Sequence, residues 1–209
     1  MNPFAMPDRI KQLPRDPTGR PFLFFMQGKQ LADCSVVRPK AVESALRHNL
    51  CYICGGQMGR NKAFILGPNS AIARTAIEPP SHRSCALYAA KVCPHFVTTS
   101  VVCVWVTQRF VSLPTDGAAQ LRVGEPIEVL WLRHGMIATQ PEVVRALNKG
   151  IRVMIDVTQE ESDYAVAALL ESVERMRQYL PREGEQDGQF PKMDASNKGE
   201  PRKNSAEGN

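Results

Sequence analysis

The feature that most constrains this chain is a paired spacing: Cys51-Tyr52-Ile53-Cys54 and, after 27 intervening residues, His82-Arg83-Ser84-Cys85. Each half offers two metal-capable side chains with two residues between them, a gap that one tight turn or one helical turn folds onto a single ion. Four such ligands complete a tetrahedral shell. The spacing therefore predicts one structural zinc per chain, held by Cys51, Cys54, His82 and Cys85, and a fold that brings the ends of the 51–85 segment together. Gly55 and Gly56 free the backbone to turn tightly behind Cys54. Gln57 to Leu66 reads as a hairpin, with Met58–Lys62 near its turn and Ala63–Leu66 as its second strand, ended by Gly67-Pro68. Pro79-Pro80-Ser81 disfavours a preceding helix and offers Ser81 as an N-cap, which puts His82 and Cys85 in a first helical turn.

The remaining cysteines decide between metal and disulfides. The first 25 residues are broken by Pro3, Pro7, Pro14, Pro17 and Pro21, so no apolar signal core forms, and no run approaches 18 apolar residues. The expected setting is cytoplasmic, where thiols stay reduced and a cysteine–histidine cluster reads as metal binding. Cys93 lies eight residues past Cys85, about 80° around a helix, and reads as a small buried thiol. Cys93 and His95 stand as alternates to the four ligands. Cys34 and Cys103 sit in apolar runs as core thiols, His48 reads as an ordinary polar or packed residue, and His134 lies beside Gly135 in a turn.

In chain order, residues 1–20 form an irregular, proline-broken arm. The zinc-binding region spans 21–98: a strand from Pro21 to Met26, whose Phe22, Phe24 and Phe25 are expected in a core rather than as a stacking platform, a turn at 27–30, a return strand over 31–37, and a helix from Pro39 using Val42, Ala45 and Leu46 and stopping at Asn49. Residues 99–180 look β-rich. Strands are predicted at 100–106, at 109–113 pairing with it, at 120–123 and at 127–133. A short helix follows, opened by a Thr139–Glu142 capping box and closed by Asn148-Lys149-Gly150. A last helix starts near Thr158 with Glu161 and carries Ala165, Leu169, Val173 and Met176 as its apolar stripe. Residues 181–209 have the composition of a disordered tail. The fold class is α+β, a small zinc-stabilised, treble-clef-like region followed by a β-rich region with two helices.

Knuckle, hairpin and ligand-bearing helix follow the order of a treble-clef zinc finger. With Phe64, Gly67-Pro68, Glu78-Pro79-Pro80-Ser81, Ala86, Ala89, Cys93-Pro94 and Trp105-Val106-Thr107, the segment also resembles an uncharacterised family found in bacteria and their phages. That resemblance covers most of residues 6–180. It implies a host class and no activity. Asn69 stands where the family tends to carry Met, away from the ligands.

Reaction chemistry finds little support. There is no glycine-rich phosphate loop, no Gly-x-Ser-x-Gly elbow and no His-Glu-x-x-His pair. The expected hairpin offers Arg60, Asn61 and Lys62 where a nuclease would need a general base. The redox reading of Cys51-x-x-Cys54 lacks its βαβ context. No catalytic residue is assigned. The net charge is +5, but residues 1–155 carry 19 basic against nine acidic side chains, a surplus that suits a polyanionic partner. The preferred reading is a non-catalytic zinc-binding module contacting nucleic acid through Arg60, Lys62, Arg74 and Arg83, or contacting a protein. The alternative is a metal-dependent enzyme of nuclease type.

Overall fold

The computed structural model describes residues 5–15, 17, 19, 21, 23–24, 39–98, 101–113, 120–159 and 162–182. Within them helices and antiparallel sheets alternate. The N-terminal arm is less irregular than expected, because α1 (Asp8–Lys11) forms there and Ile10 is fully buried. Of the strand and return strand expected over 21–37, only positions 21, 23 and 24 are described. They form no strand: Pro21 bridges back to Arg15, and the Phe24 N–H donates to the Ile53 carbonyl. Cys34 and residues 183–209 lie outside the described residues.

Helix α2 (Pro39–Arg47) follows, with Val42 and Ala45 buried, and Asn49 ends it in the left-handed conformation at φ 52°. Strand β1 (Lys62–Leu66) does not close a hairpin on residues 57–61. It pairs along its whole length with β3 (Val102–Thr107), Phe64 opposite Trp105, and on its other side only Ala63 pairs, with Ser81 just before His82. Helix α3 (Pro68–Ala73) and β2 (Thr75–Ala76) lie between those two partners. The register follows from burial. Phe64 and Leu66 are nearly inaccessible, and a long-range buried strand supplies more apolar surface for them than an exposed turn.

Every residue of β3 is buried. Cys103 and Trp105 face one core, and Val102, Val104 and Val106 face another. A strand covered on both faces loses the alternation of a half-exposed one, which is why its sequence is a continuous apolar run. Its other neighbour is β6 (Pro126–Arg133), which in turn pairs with β7 (Met136–Ile137), giving the sheet order β1-β3-β6-β7. Strand β4 (Phe110–Leu113) does not pair with β3. It joins β5 (Gln120–Val123) and β2 in a separate three-stranded sheet. The chain leaves the first sheet at Thr107, whose hydroxyl donates to the Glu125 carbonyl at 2.7 Å and whose oxygen accepts the Arg109 N–H.

Helix α4 (Arg83–Val92) sits between two cores. Ala86, Leu87 and Ala90 press on the sheet, whereas Cys85, Tyr88 and Ala89 face the segment around Cys51. Three alanines in ten residues let both neighbours come close. After α5 (Pro94–Thr98) and the sheets, α6 runs over Gln140–Gln159 and α7 over Asp163–Arg177. The capping box at Thr139 forms, its N–H donating to Glu142 Oε2 at 2.9 Å. The expected stop at 148–150 does not. Gly150 lies inside α6, and Ile151, Met154 and Ile155 beyond it pack on the main core. Burying three large side chains, each worth about 1.5–3 kcal/mol when complete, outweighs the roughly 1 kcal/mol that a mid-helix glycine costs. Thr158 consequently belongs to the last turn of α6, bonding the Met154 carbonyl. Ser162 instead caps α7, accepting the Ala165 N–H at 3.2 Å. The stripe of α7 packs into the chain's own core, with Leu169 and Met176 buried there.

Candidate metal centre

Residues 49–58 form the first half of the site. The Cys51 N–H donates to the Gly56 carbonyl and the Gly55 N–H to the Cys51 carbonyl, both at 2.8 Å. Asn49 and Met58 pair on either side, the Asn49 amide donating to the Met58 carbonyl at 2.9 Å. Gly55 takes φ 70°, and a Cβ there would stand 2.6 Å from the Phe24 ring. Both facts call for glycine at this position. The second half is the start of α4. Ser81 is not the N-cap, because its N–H and carbonyl are both spent on Ala63. The helix therefore begins one residue later than expected, with His82 at the cap and Cys85 in the first turn.

This arrangement gathers the four ligand candidates. One atom from each of Cys51, Cys54, His82 and Cys85 lies within 4.8 Å of all the others, and this is the group among the described residues able to hold a metal ion. His82 Nδ1 is 3.4 Å from Cys54 Sγ and 3.9 Å from Cys85 Sγ. A tetrahedral shell with bonds of about 2.0–2.3 Å places its corners about 3.5–3.8 Å apart, so the group fits such an ion. The other ring nitrogen, Nε2, lies 3.0 Å from the Gln57 carbonyl. Donation there orients the ring and leaves Nδ1 to ligate, the usual support for a metal-bound histidine. Backbone N–H groups of Cys54 and His82 point at Cys51 Sγ from 3.5 and 3.4 Å. They favour the thiolate.

The electrostatics match. Hydrogen bonds from Cys54 and Cys85 hold the Cys51 thiol far below its usual range, and the same sharing pushes Cys85 upward. Cys51 and then Cys54 hold a proton on His82 in the metal-free cluster, a proton that a bound ion would displace to free Nδ1. Crowded sulfurs that share protons in this way are a natural place for a cation. Cys51 and Cys85 are fully buried, and Cys54 and His82 are partly accessible.

Cys93 is buried at the end of α4 and His95 is exposed, stacked edge-on against Phe96; neither belongs to the group. Cys103 is buried in the main core, as expected. His134 sits in the β6–β7 turn at φ 51°, beside Gly135 at 74°. Of the four basic residues, Arg60 is exposed and Lys62 bonds the Gly59 carbonyl. Arg74 is ion-paired with Glu125 and lies 5.6 Å over the Trp105 ring, and Arg83 is ion-paired with Glu128. Sequence reasoning missed the Gln57 carbonyl and the Phe24 ring, because neither contact has a fixed spacing from the ligands.

The described residues thus combine helices and antiparallel sheets, an α+β arrangement, with a Cys3His group able to hold a metal ion. No family model matches it, and neither a curated protein nor a solved structure does. None of the helices in the described residues is long and apolar enough to cross a membrane.

Proposed function

We propose that this chain is a non-catalytic zinc-binding module whose metal is structural, and that it works by contacting a nucleic acid or a protein partner. The observation that carries the reading is the closure of the site: three thiols and one imidazole, two of the sulfurs fully buried, converge at tetrahedral distances. Thiolate and imidazole donors suit zinc, and four protein ligands leave no position for a substrate or an activated water. A treble-clef-like arrangement is supported by the order of the parts, with the Cys51–Gly56 turn first, β1 bridging to Ser81, and α4 carrying the second ligand pair. The role of the metal is then to join α4 to the N-terminal core. Thiolate ligands require a reducing compartment, in keeping with a cytoplasmic, bacterial or phage setting. The surplus of basic residues before position 156 supports a polyanionic partner.

Elemental analysis of the purified protein, with and without chelator, combined with titration of labelled duplex and single-stranded DNA, tests both halves. One zinc per chain and salt-sensitive binding are expected. Zinc present without nucleic-acid binding at low salt would move the proposal to the protein partner. Metal-dependent strand cleavage would replace it with the nuclease alternative.

A further inference from the structure

We propose that a pocket beside the N-terminal half of α6 is an anion site that takes a phosphate group. It is a half-open depression of about 140 Å³ among Val101, Arg133, Glu142, Arg145, Ala146 and Lys149, with a mainly apolar surface. Three cationic side chains and one carboxylate border it, and the carboxylate is already committed. Glu142 Oε1 accepts from the Arg133 guanidinium and Oε2 from the Thr139 N–H. Arg145 and Lys149, four residues apart on α6 and both exposed, add two positive charges to which no described carboxylate is paired. Like charges at this spacing repel across a helical turn, and an anion between them relieves the repulsion.

The floor is apolar, since Val101 and Ala146 are buried, and a bound charge there is less screened than in open water. The size decides the ligand class. Pockets for drug-sized molecules run to roughly 300–1,000 Å³, so this one suits a compact oxyanion group. Its two surplus charges match a doubly ionised phosphate, for which a guanidinium provides a directional fork and an ammonium a point charge. A carboxylate would leave one cation uncompensated. The same chemistry is presented by a free phosphate or pyrophosphate and by a nucleic-acid backbone. The site lies apart from the metal ligands and does not depend on the zinc reading.

The test uses the full chain at low salt, with calorimetric titration of inorganic phosphate and pyrophosphate, and anisotropy of a labelled single-stranded oligonucleotide. The variants are Arg145→Gln/Lys149→Gln and, outside the pocket on the same helix, Arg152→Gln. At least one of the three probes should bind. The double variant should weaken it by about tenfold or more, while Arg152→Gln leaves it nearly unchanged. If pyrophosphate binds, the ligand is a small anion. If only the oligonucleotide binds, the source is a backbone, and the double variant should lower the salt slope by roughly 1.4 on this single strand. No binding by the unaltered protein, full binding by the double variant, or an equal loss in Arg152→Gln would overturn the site. Should the double variant fail to fold, protection of the unaltered protein decides. A rise in melting temperature with pyrophosphate over chloride of equal ionic strength supports the site, and no rise overturns it.

Discussion

Arg83 donates from Nε to Glu128 Oε2 at 2.6 Å and from Nη2 to Glu128 Oε1. This two-pronged pair ties the first turn of α4, between His82 and Cys85, to strand β6. A residue that reads in sequence as a phosphate contact is thus used by the fold to seat α4, which starts with His82 and Cys85, on the sheet. The fork geometry makes the pair directional, and partial burial makes it stronger than a surface pair. Replacing Arg83 by Gln should cost about 1–3 kcal/mol in chemical denaturation and leave metal content unchanged. A loss below the error of the measurement would show that the sheet holds α4 without it.

The ligand set is tested by serine substitution. Cys54→Ser and Cys85→Ser should each lose the zinc, whereas Cys93→Ser should keep it. Since structural zinc supplies on the order of 10 kcal/mol in small fingers, chelation should unfold the 49–92 region. Zinc retained in Cys85→Ser and lost in Cys93→Ser would reassign the ligands.

Gly55→Ala separates the turn from the metal. An alanine at φ 70° is strained, and its Cβ meets the Phe24 ring. The expected cost is about 1–3 kcal/mol with the zinc still bound. Adding Phe24→Ala should recover the steric part. If the double variant is no more stable than the sum of the two single losses allows, the ring contact is not the cause.

Glu78 gives a pH signature. Burial, with the nearby Cys93 second, pushes its carboxyl up to about 7 from the ordinary 4.5. It lines a small cavity with Tyr52, Ile53, Ala63 and Phe96. A carboxyl raised in the folded state holds its proton there more tightly than in the unfolded chain. Its contribution is therefore full below 4.5 and is lost as pH rises toward 7. Glu78→Gln should remove that dependence, making the variant relatively more stable at pH 8 than at pH 5. Melting curves of the two proteins with parallel pH dependence would contradict this.

Arg60, which is exposed, and Lys62, which is half-buried with its ammonium on the Gly59 carbonyl, are the basic residues left for the proposed nucleic-acid surface. Arg60→Ala/Lys62→Ala should lower the salt slope of DNA binding by roughly two if both contact phosphates. Arg74→Ala should act mainly on stability, because its guanidinium is held by Glu125 and by the rings of Trp105 and Tyr179. An unchanged slope in the double variant would exclude Arg60 and Lys62 from the interface.

The Cys3His group was readable in the chain because its information is local. A two-residue gap and two glycines specify turn geometry within a few residues, and the prolines at 79 and 80 keep the helix from starting earlier, although the cap fell on His82 rather than Ser81. The helix at Pro39, the β3 run and the inward stripe of α7 were legible for the same reason, since each is a periodic pattern over one element. Tertiary structure alone decided what those elements join. Nothing local says that β1 pairs with β3, about 40 residues away, or that β4 leaves that sheet for β5, because strand partners are chosen by total burial. Propensity at Asn148-Lys149-Gly150 argued for a stop, and the core under Ile151, Met154 and Ile155 overrode it. That extension also kept Lys149 in the helix, one turn beyond Arg145 and near Arg133, and Arg83 and Glu128 were brought together across 45 residues by long-range packing.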